Sequence, residues 1–373
     1  MIWLPYRLTQ LLPTQSRLRK AWYSSFAFRS QRELKRRLTV ASQPKAKYEH
    51  PGSVTISRII GNDLFPRHQS GQSIANLRTI LESETNPHGW RKLFVINRFL
   101  ESHLEDEAVR AVREAGHDYE VISFDPQAYQ ALRYRPQLFG GLDYFSSSQF
   151  LSKDPFSQDR ERIWACGEKI RYLMNINGAR NQAIASGRLS SDWTFVLDGS
   201  CFISGHAFVA LKDDLERVPS APYLVVPMRR QADQQDLENS QATSVYQEEP
   251  QIAFRSDAIE QFDEAYPYGV RDKTSLLNRL GVPGPWCAWA PLSWHPELAS
   301  RSTDRYLFQY ASASVLRLTS GIANGSLELP RAQMKRYRSR ITAIFSTLQA
   351  VDRQLGAADA DDLHAIAGPL DLN

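Results

Sequence analysis

Cysteine is scarce in this chain: Cys166, Cys201 and Cys287 are the only three in 373 residues, and no two of them form a CxxC pair. That excludes a disulfide-stapled secreted scaffold and argues against a zinc ribbon or a thioredoxin-type site. Long apolar runs are missing as well. The opening MIWLPYRLTQLLPTQ is broken by Pro5, Arg7 and Pro13, short of the roughly 20 apolar residues that a membrane-spanning helix needs. No clean apolar stretch precedes a small-residue cleavage site, so a secretory signal is not indicated. There is no GxSxG, P-loop, HExxH or protein-kinase signature, and no internal repeat. What remains is ordinary: 42% hydrophobic and 23% charged residues exclude wholesale disorder, a collagen-like repeat and a polytopic membrane protein. The length suits one or two domains.

The small net charge of +4 hides an asymmetry. Residues 1–50 carry 11 Lys and Arg against two acids, Glu33 and Glu49, a surplus of nine; the totals of 45 and 41 then leave 34 against 39, a deficit of five. The chain therefore reads as a basic arm (1–50), a mildly acidic body (51–297) and a C-terminal region (298–373). Trp22, Tyr23, Phe26 and Phe28 interleave the basic residues of the arm. Three readings stay open for it: a solvated tail, an interfacial segment on an anionic membrane surface, or an organelle transit peptide. The expected location is cytoplasmic, with membrane association through residues 1–47. Nucleic acid is not an expected partner of an acidic body.

Within the body, β-branched and apolar runs alternate with helical periodicity. Val54–Ile60, Lys92–Ile96 and Tyr119–Phe124 read as strands, and Gln72–Glu84 and Glu105–Gly116 as helices. Residues 125–160 read as a long loop. Glu168–Gly187 reads as a helix interrupted at Gly178, Asp192–Leu197 and Tyr223–Met228 as strands, 231–247 as a polar loop, Gln251–Arg255 as a strand and Asp257–Glu264 as a helix. Beyond Trp294 two helical stripes are expected, Tyr306–Leu318 and Met334–Leu355, the second opening near Pro330 and stopping at Gly356. They would pack as an antiparallel pair on the body or form a homodimer interface. Strand–helix alternation of this kind predicts an α/β fold, a mixed sheet with flanking helices plus a C-terminal helical segment.

The stretch with most chemical content is Asn177-Gly-Ala-Arg-Asn-Gln-Ala-Ile-Ala-Ser-Gly-Arg188 followed by Trp193-Thr-Phe-Val-Leu-Asp-Gly-Ser-Cys-Phe202. An Arg-Asn pair on a helix precedes a buried strand that ends in Asp198. Ligands of open α/β sheets bind outside the carboxyl ends of the strands. A carboxylate there can hold a divalent cation that neutralises a diphosphate; equally, Asp198-Gly199 reads as a turn that ends a strand. Cys201 has no adjacent His and reads as packing.

This arrangement resembles the nucleotide-sugar-dependent glycosyltransferases of the GT-A fold, in which an "ARN.A...G" helix precedes the strand that delivers a DxD motif. Ala179-Arg180-Asn181-Gln182-Ala183-Ile184-Ala185-Ser186-Gly187 is similar to that helix, and Asp198 to the first DxD aspartate. The likeness runs over residues 53–295 and is most specific at 160–205. It implies transfer of a sugar from a nucleotide-diphosphate donor to a saccharide or lipid-linked acceptor, as in polysaccharide biosynthesis. It also implies Mn or Mg as a cofactor, held by Asp198 and His295. The motif departs from DxD, because Ser200 stands where the second acid belongs. Arg180 or Arg58 would then neutralise the diphosphate instead.

The resemblance assigns further residues. Asn177, Arg180 and Asn181 would hold the donor with Asp198. Arg58, Asn62 and Asp63 at the end of the first strand, and Asn97 and Arg98 at the end of the second, would line its nucleoside pocket; turn chemistry accounts for them equally well. Glu249, or Glu248 beside it, would meet the acceptor hydroxyl as a base, against the alternative of an exposed acidic pair. From the residues themselves, Trp286 and Trp289 in the Gly/Pro-rich loop 281–289, with Arg255, would face the acceptor, although Trp pairs of this kind are more often core. Two other readings remain: a sugar-phosphate or nucleotidyl transferase on a similar sheet, and a non-catalytic carbohydrate-binding protein of the same fold.

Overall fold

The computed structural model describes residues 52–217, 221–230, 249–284, 308–318 and 330–368. The basic arm, the 231–247 loop, Glu248, Trp286, Trp289 and His295 lie outside the described residues. The chain begins with the expected alternation: β1 (Val54–Gly61), α1 (Gln72–Ser83), β2 (Trp90–Asn97), α2 (Ser102–Glu114) and β3 (Asp118–Ile122). A helical stretch follows, of α3 (Pro126–Ala131), α4 (Ser148–Leu151), α5 (Pro155–Ala165), α6 (Gly167–Met174) and α7 (Ile176–Arg188). Next come β4 (Trp193–Asp198), β5 (Cys201–Phe202), α8 (Gly205–Glu216), β6 (Tyr223–Val226), β7 (Met228–Arg230), β8 (Gln251–Arg255) and α9 (Thr274–Arg279). The described chain closes with β9 (Phe308–Tyr310), β10 (Val315–Arg317), α10 (Pro330–Leu355) and α11 (Ala360–Ala367).

The fold class is the expected one, α/β with a mixed seven-stranded sheet and flanking helices. The strand order is β3-β2-β1-β4-β8-β6-β9. β3, β2, β1 and β4 run parallel, and β8 is antiparallel to both of its neighbours. Both faces are covered, as the parallel half requires. Ile59, Val95 and Val196 point to the face covered by Ala179, Ala183 and Ile184 of α7 and Leu276 and Leu277 of α9. Ile56, Ile60, Phe94 and Phe195 point to the opposite face, under α1, α2 and α8. A second sheet, β5-β10-β7, continues the first. Three segments cross between them: β4 to β5 through Gly199-Ser200, β6 to β7 through Pro227, and β9 to β10 through residues 311–314. Asp198 stands at this junction.

Four segments differ from the sequence reading. Residues 125–160 are largely helical. Asp125 and Asp154 accept backbone N–H groups of Gln127 and Ser157, with Pro126 and Pro155 at the first helical position; these are ordinary helix starts. The helix expected over Glu168–Gly187 is two helices, and the break is the left-handed Asn175 (φ 42°) rather than Gly178. Asp257–Glu264 is not helical, because distant side chains serve its backbone. The Tyr223 hydroxyl accepts from the Ile259 and Glu260 N–H groups, and the Asn181 amide bonds Phe262 at both its N–H and its carbonyl. Of the stripe expected at Tyr306–Leu318, the described part, 308–318, is two strands, β9 and β10, since pairing with β6 and with β5 and β7 outweighs the local helical spacing.

The second C-terminal stripe is helical as expected, from Pro330 to Leu355, with Gly356 at φ 62° ending it. Its apolar face (Ile341, Ile344, Phe345, Leu348, Val351) is buried against Tyr129, Phe150, Ile170 and Leu173 of the helical stretch and Leu363 and Ile366 of α11. Among the described residues no helix is long and apolar enough to cross a membrane.

Candidate functional site

The carboxyl ends of β1, β2 and β4 meet at one edge of the sheet. Pairing sets Ile59 level with Asp198 and Gly61 level with Asn97. A cavity opens there, lined by Ile59–Asn62, Asn97 and Asp198–Ser200 from the strand ends. Arg180 comes from α7, Arg67, His68, Glu249, Tyr268 and Asp272 from loops, Arg317 from β10 and Arg340 from α10. This is where an open α/β sheet offers a ligand site.

Local packing explains why the two motif segments sit side by side. Ala179, Ala183 and Gly187 fall four residues apart on α7, and both alanines are fully buried. A Cβ on Gly187 would lie 2.1 Å from Thr194 Oγ1, so the helix approaches β4 as only glycine allows. A Cβ on Gly199 would lie 2.5 Å from the Ile59 carbonyl oxygen. The Asp-Gly pair is thus more than a turn, since its glycine lets β4 turn away against the β1 backbone.

Asp198 is engaged on both oxygens. Arg180 Nη2 donates to Oδ1 at 2.8 Å; Lys273 Nζ at 3.1 Å and Gln251 Nε2 at 3.3 Å donate to Oδ2. Arg180 is itself fixed by Asn177 Oδ1 at 3.0 Å and Asp272 Oδ2 at 3.3 Å. Burial alone would raise the Asp198 carboxyl, but Lys273, Arg180 and Arg317 hold it well below the usual carboxylate range.

The opposite wall is cationic. Burial, with Arg340 and Arg317 nearby, lowers Arg67 to about 10 against the attraction of Tyr268 and Asp272. His68 falls to about 4 through burial and the charges of Arg67 and Arg317. Its Nδ1 lies 3.9 Å from Asp63 yet accepts the Leu64 N–H at 3.1 Å. An accepting Nδ1 carries no proton, so His68 is neutral and makes no ion pair. Arg340 is held above its ordinary value: burial opposes its charge, but Tyr268, Glu249 and Asp272 outweigh it.

The residues singled out from sequence divide into groups. Asp198, Arg180, Asn62, Asn97 and Glu249 line the cavity. Asn97 and Asn62 also hold loops, donating to the carbonyls of Met174 (2.9 Å) and Arg98 (2.6 Å). Asn177 and Asn181 stand behind Arg180. Asn177 donates to the Asp263 and Asp272 carbonyls at 2.8 and 2.9 Å, and Asn181 bonds the Phe262 backbone and Glu264. Asp63 accepts the N–H and hydroxyl of Ser73 and so serves the first turn of α1.

Arg58, Arg98 and Arg255 do not reach the cavity. Arg58 shares the face of Ile56 and Ile60, is fully buried, and pairs with Glu84 and the Cys201 carbonyl. Arg98, at φ 47°, lays its guanidinium 3.8 Å from the Tyr172 ring centre. Arg255 pairs with Asp257 and lies opposite Trp193, at the far end of β4 from Asp198. Cys201 is buried beside Met228, its Sγ 3.6 Å from the thioether sulfur, and burial lifts its thiol to about 12; packing is its role.

Five cavity or corner residues escape sequence reading: Arg67, Asp272, Lys273, Arg317 and Arg340. Each comes from a segment with no motif, and β10, which carries Arg317, has helical spacing in sequence. The one local hint is the charged triplet Arg271-Asp272-Lys273, where Arg271 takes a left-handed φ of 55° just before α9.

The described residues do not fit a resident divalent cation. Asp198 gives both oxygens to nitrogen donors, Ser200 brings no charge, and Arg67, Arg317 and Arg340 compete with Arg180 for the same space. No group of three His, Cys, Asp or Glu side chains able to hold an ion occurs among the described residues.

No protein-family model matches the chain, and no curated protein matches its sequence at a significant level. Among solved structures, a mannosyltransferase from Pyrobaculum calidifontis in complex with GDP-Man and Mn2+ is similar at 10% identity and TM-score 0.36, over 94% of this chain and 83% of that one. TarS of S. aureus is similar at 9% identity and TM-score 0.32, over 84% and 41%. The 4-diphosphocytidyl-2C-methyl-D-erythritol synthase of Anaerococcus prevotii is similar at 9% identity and TM-score 0.27, over 77% and 97%.

Proposed function

We propose that the chain is a glycosyltransferase that moves a sugar from a nucleotide-diphosphate donor to a saccharide or lipid-linked acceptor. The observation that carries this reading is the Asp198–Arg180 corner, set at the carboxyl ends of the parallel strands and opening onto a cavity lined with arginines. An anion of diphosphate size suits that field, because Arg binds phosphate oxygens through two parallel N–H bonds. Asn62 and Asn97, on the strand-end side, line the same cavity and would meet the nucleoside.

The chemistry follows from the charges. The acceptor oxygen bonds to the anomeric carbon as the bond from that carbon to the diphosphate oxygen breaks. Negative charge then gathers on the leaving diphosphate, and cations already in place stabilise it without reorganising. The acceptor hydroxyl loses its proton, which Glu249, exposed and lining the cavity, would take.

The test is a panel of nucleotide sugars, scored for thermal shift and for release of nucleoside diphosphate. Release is expected from at least one donor, and Glu249→Gln is expected to lower kcat about a hundredfold with KM for the donor unchanged. A product that retains a phosphate on the acceptor would instead indicate a sugar-phosphate or nucleotidyl transferase.

A further inference from the structure

We infer that the donor's diphosphate is neutralised by a cluster of arginines, Arg67, Arg317 and Arg340 around Arg180, in the place a divalent cation would take. The inference rests on the nucleotide-sugar reading above and deepens it.

Counting charge at the corner supports it. Arg67, Arg180, Lys273, Arg317 and Arg340 face three carboxylates, Asp198, Glu249 and Asp272, and His68 is neutral. Among the described residues that line this corner the surplus is two positive charges, which matches the two negative charges of a sugar diphosphate diester. A divalent cation added to this surplus would be repelled, and its natural ligand, Asp198, is already spent on Arg180 and Lys273. Asp198 is thus a positioning residue: it holds Arg180 at the wall of the cavity.

One observation shows that the arginine wall is not closed on itself. Arg340 Nε is buried with no hydrogen-bond partner among the described residues, a costly arrangement that an incoming phosphate oxygen would relieve. Arg67 lines the same cavity and is lowered to about 10, first by burial and then by the charges of Arg340 and Arg317. These groups arrive from three separate elements: the loop after β1, strand β10 and helix α10. Only the folded chain gathers them, which is why the missing second DxD acid has no local substitute in the sequence.

The experiment is calorimetry of UDP, GDP, and the matching monophosphates with the full chain, in EDTA and in Mn2+. The diphosphate that binds is expected to do so with the same Kd, within twofold, in both. Arg67→Gln and Arg340→Gln, made separately in case either disturbs folding, should each weaken the diphosphate at least tenfold. The monophosphate should weaken less, a split that a merely structural role would not produce. Diphosphate binding at least tenfold tighter in Mn2+ than in EDTA overturns the arginine cluster and leaves the transferase reading standing. No binding of either diphosphate in either condition overturns both.

Discussion

Two buried charge clusters in this molecule both set cations against aspartates and end in opposite ways. Under the C-terminal helices, Lys169 of α6 is fully buried between Asp352 (2.9 Å) and Asp359 (2.6 Å). The Tyr134 ring centre lies 4.3 Å from its ammonium and that of Tyr129 5.1 Å, and both phenols donate to Asp352. Every charge there has a partner inside the fold. At the sheet edge, Asp198 is as thoroughly paired, but the groups around it carry surplus positive charge and border a cavity. Burial and pairing alone therefore do not mark a site. Imbalance beside open space does.

The largest effect should come from breaking the closed cluster. Lys169→Met leaves two aspartates buried without their cation and should cost about 3–5 kcal/mol of unfolding free energy in denaturant titration. Adding Asp352→Asn and Asp359→Asn should restore part of that loss, since removing the whole network is far milder than removing one partner.

Breaking the open cluster should act mainly on ligand. Asp198→Asn releases Arg180 and Lys273 and adds to the repulsion among the cations. Turnover should fall about a hundredfold, equivalent to about 2.7 kcal/mol at the transition state, with a smaller loss of stability than Lys169→Met causes.

A smaller effect separates the two clusters by pH. His68 borders only the open one. Its folded value of about 4 lies below its unfolded value near 6.5. Between those values the unfolded chain binds a proton that the folded chain refuses, so stability falls as pH drops below 6.5. By pH 5 the loss should reach about 2 kcal/mol. His68→Asn, which keeps an acceptor for the Leu64 N–H, should flatten that part of the curve.

The comparison also shows how far the sequence reaches. The β-branched strands, the Asp198 strand end and the small-residue face of α7 are local patterns, and they were legible. The capped starts at Asp125-Pro126 and Asp154-Pro155 were missed, because the aromatic and Ser-rich context there reads as loop. What sequence does not display is which side of a strand meets the cavity. Arg58 looks like a phosphate ligand, yet an even-numbered place on β1 sends it under α1 to Glu84. Nor does it display convergence: Arg67, Arg317 and Arg340 are separated by more than 20 residues each and meet only because β10 joins the second sheet and α10 packs back over the body. Asn181, the most suggestive neighbour of Arg180, serves the Phe262 backbone instead.

The most direct test of this distinction is release of nucleoside diphosphate from a nucleotide sugar, measured per folded molecule for the wild type, Asp198→Asn and Lys169→Met, beside their unfolding midpoints. The expected result is a split: Asp198→Asn loses turnover far more than stability, and Lys169→Met loses stability while its folded fraction turns over at the wild-type rate. If Asp198→Asn turns over like the wild type, the open cluster is another structural staple and the transferase site lies elsewhere.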